Sequence, residues 1–127
     1  MEIYIVDDFV MVNILHEVLL RNIGTDILVK SFIDPGEALK DLGSRTDEYV
    51  PTLLLLDIHM PEMSGSQFLE RMELDGFPRT IDVIIVTTSV SDRGLAEQYP
   101  QYVRDFVRKP LKLRQVGAIT EYITNML

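Results

Sequence analysis

Four consecutive leucines, Leu53 to Leu56, run directly into Asp57 and the turn Ile58-His59-Met60-Pro61-Glu62-Met63-Ser64-Gly65. An unbroken apolar run this short fits a strand covered on both faces, and such strands belong to parallel sheets flanked by helices. That restricts the chain to α/β architectures. Asp57 is then expected where the strand leaves the core, held firmly and facing solvent, as an acceptor or ligand.

The rest of the chain repeats the alternation. Glu2–Val6 reads as a first strand, and Val10–Ile23 as a helix with Val10, Ile14, Leu15, Val18 and Leu19 on an apolar stripe, ended by Gly24. Asp26–Phe32 reads as the second strand. Pro35 opens a helix carrying Ala38, Leu39 and Leu42 that stops near Gly43. Thr52–Leu56 is the third strand, and Ser66–Leu74 the third helix, with Phe68, Leu69 and Met72 inward. Ile81–Val86, a weaker helix at Asp92–Tyr99, the strand Tyr102–Arg108 and the helix Leu111–Met126 complete the series, the last with Leu113, Val116, Ile119 and Ile123 on one stripe. Five βα units imply one parallel sheet with helices on both faces, because right-handed crossovers place them there. In open sheets of this kind the site lies beyond the carboxyl ends of the strands. Asp7 and Asp8, Asp57, Thr87 and Lys109 all fall at such ends.

The bulk numbers agree. A chain of 127 residues that is 46% hydrophobic and 25% charged suits one domain with a real core, here expected to span 1–127 with no output domain. No cysteine is present, so disulfides and thiolate chemistry are excluded. The start lacks a basic n-region and a signal-type apolar run, and a cytoplasmic location is expected. A net charge of −8 argues against direct nucleic-acid binding, and no stretch suggests a membrane partner. Arg104, Arg108, Lys109, Lys112 and Arg114 nevertheless concentrate five of the twelve basic residues, forming either a solvated helix end or a docking surface for an acidic partner.

Carboxylates gathered in a cleft repel one another, and a divalent cation relieves the cost. Mg²⁺ (or Mn²⁺) suits oxygen ligands. Asp8 and Asp57 are expected to bind it directly, Asp7 through water, and the backbone carbonyl of His59 to complete the protein's share. A nucleophilic carboxylate beside Mg²⁺ points to phosphoryl transfer onto Asp57, with Lys109 and the Thr87 hydroxyl stabilising the equatorial oxygens. A cis Lys109–Pro110 peptide would turn the lysine toward the pocket, and the strand-end context favours it above the ordinary X–Pro frequency of about 5–6%. Each residue also has a plainer role. Asp8 alone would serve as an N-cap, Asp7 as a loop acid, Lys109 as a surface lysine and Thr87 as strand-end chemistry. Their coincidence at four strand ends favours the site. His16 is expected to be solvated on a helix flank, and His59 lacks the partners a zinc site needs.

Taken together, Val6-Asp7-Asp8, Leu55-Leu56-Asp57 with Met60-Pro61-Glu62-Met63-Ser64-Gly65, Val86-Thr87-Thr88 and Phe106-Val107-Arg108-Lys109-Pro110 resemble the receiver domain of two-component response regulators, in a stand-alone, chemotaxis-type form. The resemblance implies a five-stranded flavodoxin-like doubly wound sheet of order 2-1-3-4-5. It implies phosphoryl acceptance on Asp57 from a phosphohistidine on a sensor histidine kinase or phosphotransfer protein, and later hydrolysis. The chain would act on its own phosphoryl state rather than as a conventional turnover enzyme. Thr87 and Phe106 would form a switch that alters a face built from the fourth helix, fifth strand and fifth helix, read by a downstream protein target. The protein would be a monomer or a phosphorylation-linked dimer.

The pattern departs from the family at several points. Phe106 stands where Tyr is common, Thr88 where a smaller residue is common, and Ser64 where Asp is common. His59 and Ser89 occupy positions that tune dephosphorylation. Alternatives are a phosphorelay shuttle, a receiver cut from a longer regulator, or a non-phosphorylated scaffold. A flavodoxin-like carrier is disfavoured by the acidic Asp7-Asp8-Phe9 loop, and an aspartate-nucleophile phosphatase by Phe9 where a second aspartate is needed.

Overall fold

The computed structural model describes residues 2–21, 27–44, 51–78, 80–88 and 94–126. Strands β1 (Glu2–Val6), β2 (Leu28–Phe32), β3 (Thr52–Asp57), β4 (Ile81–Thr87) and β5 (Val103–Arg108) alternate with helices α1 (Val10–Arg21), α2 (Pro35–Gly43), α3 (Gly65–Leu74), α4 (Gly94–Gln98) and α5 (Leu113–Met126). All strand pairs are parallel, in the order β2-β1-β3-β4-β5. The fivefold alternation and the 2-1-3-4-5 order expected from the sequence are therefore those of the molecule. Asp26, Gly24 and Asp92 lie outside the described residues.

The sheet's two faces separate by strand periodicity. Tyr4, Val6, Leu54, Leu56, Val83 and Ile85 point to one side and pack with Ala38, Leu39 and Leu42 of α2, Phe68, Leu69 and Met72 of α3, and Leu95 of α4. Ile3, Ile5, Leu53, Leu55, Ile84 and Val86 point to the other, against Leu20 of α1 and Ile119 of α5. Every residue of β3 is buried, as a central strand covered on both faces requires. Truncating a core leucine here costs about 2–5 kcal/mol. For the α5 stripe, Ile119 is buried; the side chains of Leu113, Val116 and Ile123 lie outside the description.

Two sequence expectations fail on α1. The stripe Val10, Ile14, Leu15 and Val18 faces outward, joined by Phe9 and Met11, all at least 42% exposed. The inward positions belong to Asn13, His16 and Leu20. His16 is accordingly 1% exposed rather than solvated. The polar pair goes inward because backbone groups are waiting for it. Asn13 Nδ2 donates to the carbonyls of Asp7 (2.5 Å) and Phe32 (3.2 Å), and His16 Nε2 accepts the Leu111 N–H at 3.2 Å. Buried backbone groups left unpaired would each cost about 1–3 kcal/mol.

A register shift between Val83 and Ile84 pairs Val103 with Val83 but Asp105 with Ile84, leaving Arg104 as the extra residue of a bulge. The bulge resets the alternation, so Phe106 stands opposite Ile85 and packs with the cluster on the α2–α4 side. Arg104 bonds the carbonyls of Pro100 and Gln101 and pairs with Asp82 Oδ1 at 3.1 Å. Its guanidinium is thus committed within the fold. Arg104, Arg108, Lys112 and Arg114 are all exposed.

Candidate functional site

Parallel pairing brings the carboxyl ends of β1, β3, β4 and β5 to one edge. Asp7 follows β1, Asp57 ends β3, Thr87 ends β4 and Lys109 follows β5. Ligand oxygens of Asp7, Asp8 and Asp57 lie within 4.8 Å of one another. The Lys109 ammonium stands 2.6 Å from Asp7 Oδ2 and 3.1 Å from Asp57 Oδ1. Thr87 is buried beside them, and its carbonyl accepts the Lys109 N–H at 2.9 Å. The Lys109–Pro110 peptide is cis.

Asp57 is 3% exposed, not solvent-facing as its position after the leucine run suggests. The β3–α3 loop explains this. Gly65 N donates to the Ile58 carbonyl at 2.9 Å, folding the start of α3 back over the strand end. A Cβ on Gly65 would meet Ile58 Cα at 2.8 Å and the Asp57 carbonyl at 3.1 Å, so only glycine allows this approach. Ser64 caps α3 in a reciprocal box with Gln67, so serine does at this position what a capping aspartate would do. The His59 N–H reaches Asp57 Oδ1 at 3.2 Å, and the His59 side chain is exposed.

Burial raises the Asp57 carboxyl above its ordinary value of 3.8, and the charge of Asp7 adds to this. The charge and hydrogen bond of Lys109 and the His59 N–H work the other way. For Lys109, burial opposes the charged form but is outweighed by its bond to Asp7 and the charges of both carboxylates, and its pKa is raised. The lysine is therefore a firm cation and Asp57 a basic carboxylate. Asp7 is oriented from the other side, its Oδ1 accepting the Phe9 N–H at 2.9 Å.

Three carboxylates and one ammonium leave a formal charge of −2 in an all-oxygen cluster. That donor set and charge suit a hard divalent cation such as Mg²⁺ better than a soft, thiolate-seeking metal. Asp8 is the most open of the three acids and gives such an ion access.

Of the residues singled out from the sequence, Asp7, Asp8, Asp57, Thr87 and Lys109 come together. Phe106 sits half-buried one strand away, and Ser89 lies outside the described residues. Asn13 escaped sequence reasoning, and His16, expected to be solvated, is buried. The available signal was two polar residues three apart on a face that a core would otherwise fill.

A family profile described as the response regulator receiver domain matches residues 3–121. The cyclic di-GMP phosphodiesterase response regulator RpfG of Xanthomonas campestris is 32% identical over 93% of this chain and 30% of its own length. The CheY-like response regulator receiver domain protein of Methanospirillum hungatei shares the fold, with a TM-score of 0.76 at 23% identity over 98% of this chain and 94% of that one. So does the receiver domain of the Pseudomonas aeruginosa sensor histidine kinase PA1611, solved with a magnesium ion in its active-site cleft, with a TM-score of 0.74 at 19% identity over 95% of this chain and 94% of that one. The chain spans half or less of the length of the curated relatives it matches. Among the described residues no helix is long and apolar enough to cross a membrane.

Proposed function

The chain belongs to the response regulator receiver domain family, and from that premise we propose that it accepts a phosphoryl group on Asp57 from a phosphohistidine and relays the change through a protein-binding face. The observation that carries this reading is the Lys109 ammonium held between Asp7 and Asp57 beside a three-carboxylate cluster. Two buried carboxylates and a third more open one around a single ammonium form the kind of charged cleft in which functional groups cluster.

In the transfer, an Asp57 oxygen forms a bond to phosphorus as the donor's N–P bond breaks, and the electron pair returns to the ring nitrogen, so that a donor protonated on its other ring nitrogen leaves as neutral imidazole. A bound Mg²⁺ supplies Lewis-acid stabilisation of a phosphoryl oxygen. Asp8, Asp57 and the His59 carbonyl are the groups we assign to hold it, with Asp7 acting through water. Lys109, already 3.1 Å from Asp57 Oδ1, takes a second phosphoryl oxygen. Thr87, with neighbouring backbone N–H groups, takes the third. Burial raises the basicity of Asp57, which favours it as the nucleophile. The reaction leaves the chain itself modified, so the activity is signalling rather than turnover. His59 and Ser89 are assigned to tuning hydrolysis of the acyl phosphate.

The donor is a sensor histidine kinase or phosphotransfer protein. The exposed apolar face of α1, formed by Phe9, Val10, Met11, Ile14, Leu15 and Val18, borders the acidic edge and supports contact with its phosphohistidine-bearing surface. On the output side, Thr87 moves toward the phosphoryl group and Phe106 turns inward. Phe106 is half-buried against the cluster on the α2–α4 side of the sheet, so an inward turn is a change of packing on that side. The α4–β5–α5 face then changes affinity for a downstream protein target, because the two states differ in these contacts. Residues 1–127 act as one receiver domain in the cytoplasm under this reading, as a monomer or a phosphorylation-linked dimer. Incubation with acetyl phosphate and Mg²⁺, with the modified residue mapped by mass spectrometry, tests it.

A further inference from the structure

We infer that His16 is a positioning residue that acts through Lys109: its neutral imidazole receives the Leu111 N–H and so hooks the Lys109–Pro110–Leu111 turn onto α1. This rests on the reading of Lys109 as the group that stabilises the phosphoryl oxygens.

The bond spans 95 positions in sequence, and both ends are buried, His16 at 1% and Leu111 at 4% exposure. The turn has two backbone donors around its proline. Upstream, Lys109 N is fastened to the Thr87 carbonyl at 2.9 Å. Pro110 has no N–H to offer. Downstream, Leu111 N is fastened to His16 Nε2 at 3.2 Å. The lysine therefore projects from a turn gripped on one side by β4 and on the other by α1.

Accepting at Nε2 requires a lone pair there, so the ring proton resides on Nδ1 and the imidazole is neutral. Its surroundings keep it so. Burial lowers the pKa of His16 from 6.5, and the positive charge of Lys109 lowers it further, against the pull of Asp7. Three positions earlier on the same helix, Asn13 grips the Asp7 carbonyl. One rigid element thus sets the spacing between Asp7 and Lys109, the pair whose side chains meet at 2.6 Å. Leucine would fill the same space but leave the buried Leu111 N–H without an acceptor. The N–H that histidine satisfies lies two residues from the lysine.

The test compares His16→Leu with His16→Gln, whose carboxamide places an acceptor close to where Nε2 stands. Initial rates of modification by acetyl phosphate are measured together with Mg²⁺ affinity. The expected result is a loss of about tenfold or more in rate for His16→Leu, as misplacement of a reacting group by an ångström produces. Mg²⁺ affinity should be unchanged, and His16→Gln should recover most of the rate. In a Lys109→Ala background His16→Leu should have no further effect. A wild-type rate in His16→Leu, or an equal loss with and without Lys109, overturns the inference while leaving phosphoryl acceptance standing. A wild-type chain that acetyl phosphate does not modify overturns both. If the variants fail to fold, the ¹⁵N side-chain spectrum of wild-type His16 decides: the proton on Nδ1 supports the assignment, and a protonated Nε2 overturns it.

Discussion

The Lys109 ammonium rests on Asp7, 2.6 Å from Oδ2 and nearer than the 3.1 Å that separates it from Asp57 Oδ1. The lysine is parked on the neighbouring acid, and the proposed transfer would draw it toward the new phosphoryl oxygens. Lys109→Ala removes both roles. Modification by acetyl phosphate should slow by about 10²–10³-fold, the scale of losing one preorganised electrostatic partner. Mg²⁺ should bind several-fold more tightly, because the formal charge of the cluster falls from −2 to −3. Stopped-flow modification and calorimetric titration with Mg²⁺ check the two effects separately.

Gly65 is where the site depends on an absent side chain. Gly65→Ala sets a Cβ 2.8 Å from Ile58 Cα, which only backbone movement can relieve. A loss of about 1–3 kcal/mol is expected, visible in urea unfolding. The modification rate should also fall, since the displaced backbone carries Asp57.

The apolar face of α1 contributes little to the core and should tolerate charge. Met11→Glu and Leu15→Glu, one turn apart on the exposed side, should change stability by no more than about 0.5 kcal/mol. Transfer from an autophosphorylated kinase histidine domain active on the wild type should drop tenfold or more, while modification by acetyl phosphate stays constant. Equal losses with both donors would remove α1 from donor docking.

Alkaline stability follows from Tyr122, which donates to Asp82 Oδ2 beside Arg104. Burial first, and then Asp82, pushes its phenol from 10.0 up to about 12. The folded state therefore favours the neutral phenol. Its contribution is complete below pH 10 and lost as the pH rises toward 12. Tyr122→Phe should cost about 1 kcal/mol near neutrality and flatten the decline of stability across that window in thermal melts.

Much of this was legible in the residues. Leucines 53 to 56 identified the central strand because full burial on both faces leaves no room for polar alternation. Phe68, Leu69 and Met72 of α3 were legible as an inward face for the complementary reason, polar neighbours on the remaining positions. On α1 the same reasoning inverted the helix. Periodicity reports a stripe but not its direction, and here Asn13 and His16 take the inner side because buried backbone groups at the ends of β1 and after β5 need partners. The burial of Asp57 was hidden likewise, since it depends on how closely Gly65 brings α3 to the strand end. The bulge at Arg104 had no sequence signal, and it sets that exposed guanidinium against Asp82 and the carbonyls of Pro100 and Gln101.

The most direct measurement is mass-spectrometric mapping after incubation with acetyl phosphate and Mg²⁺, run on the wild type and on Asp57→Asn. The expected result is one phosphoryl group per wild-type chain, located on Asp57, released by hydroxylamine and absent from the variant. Modification that persists in Asp57→Asn, or a wild-type chain that stays unmodified with Mg²⁺ present, would contradict it.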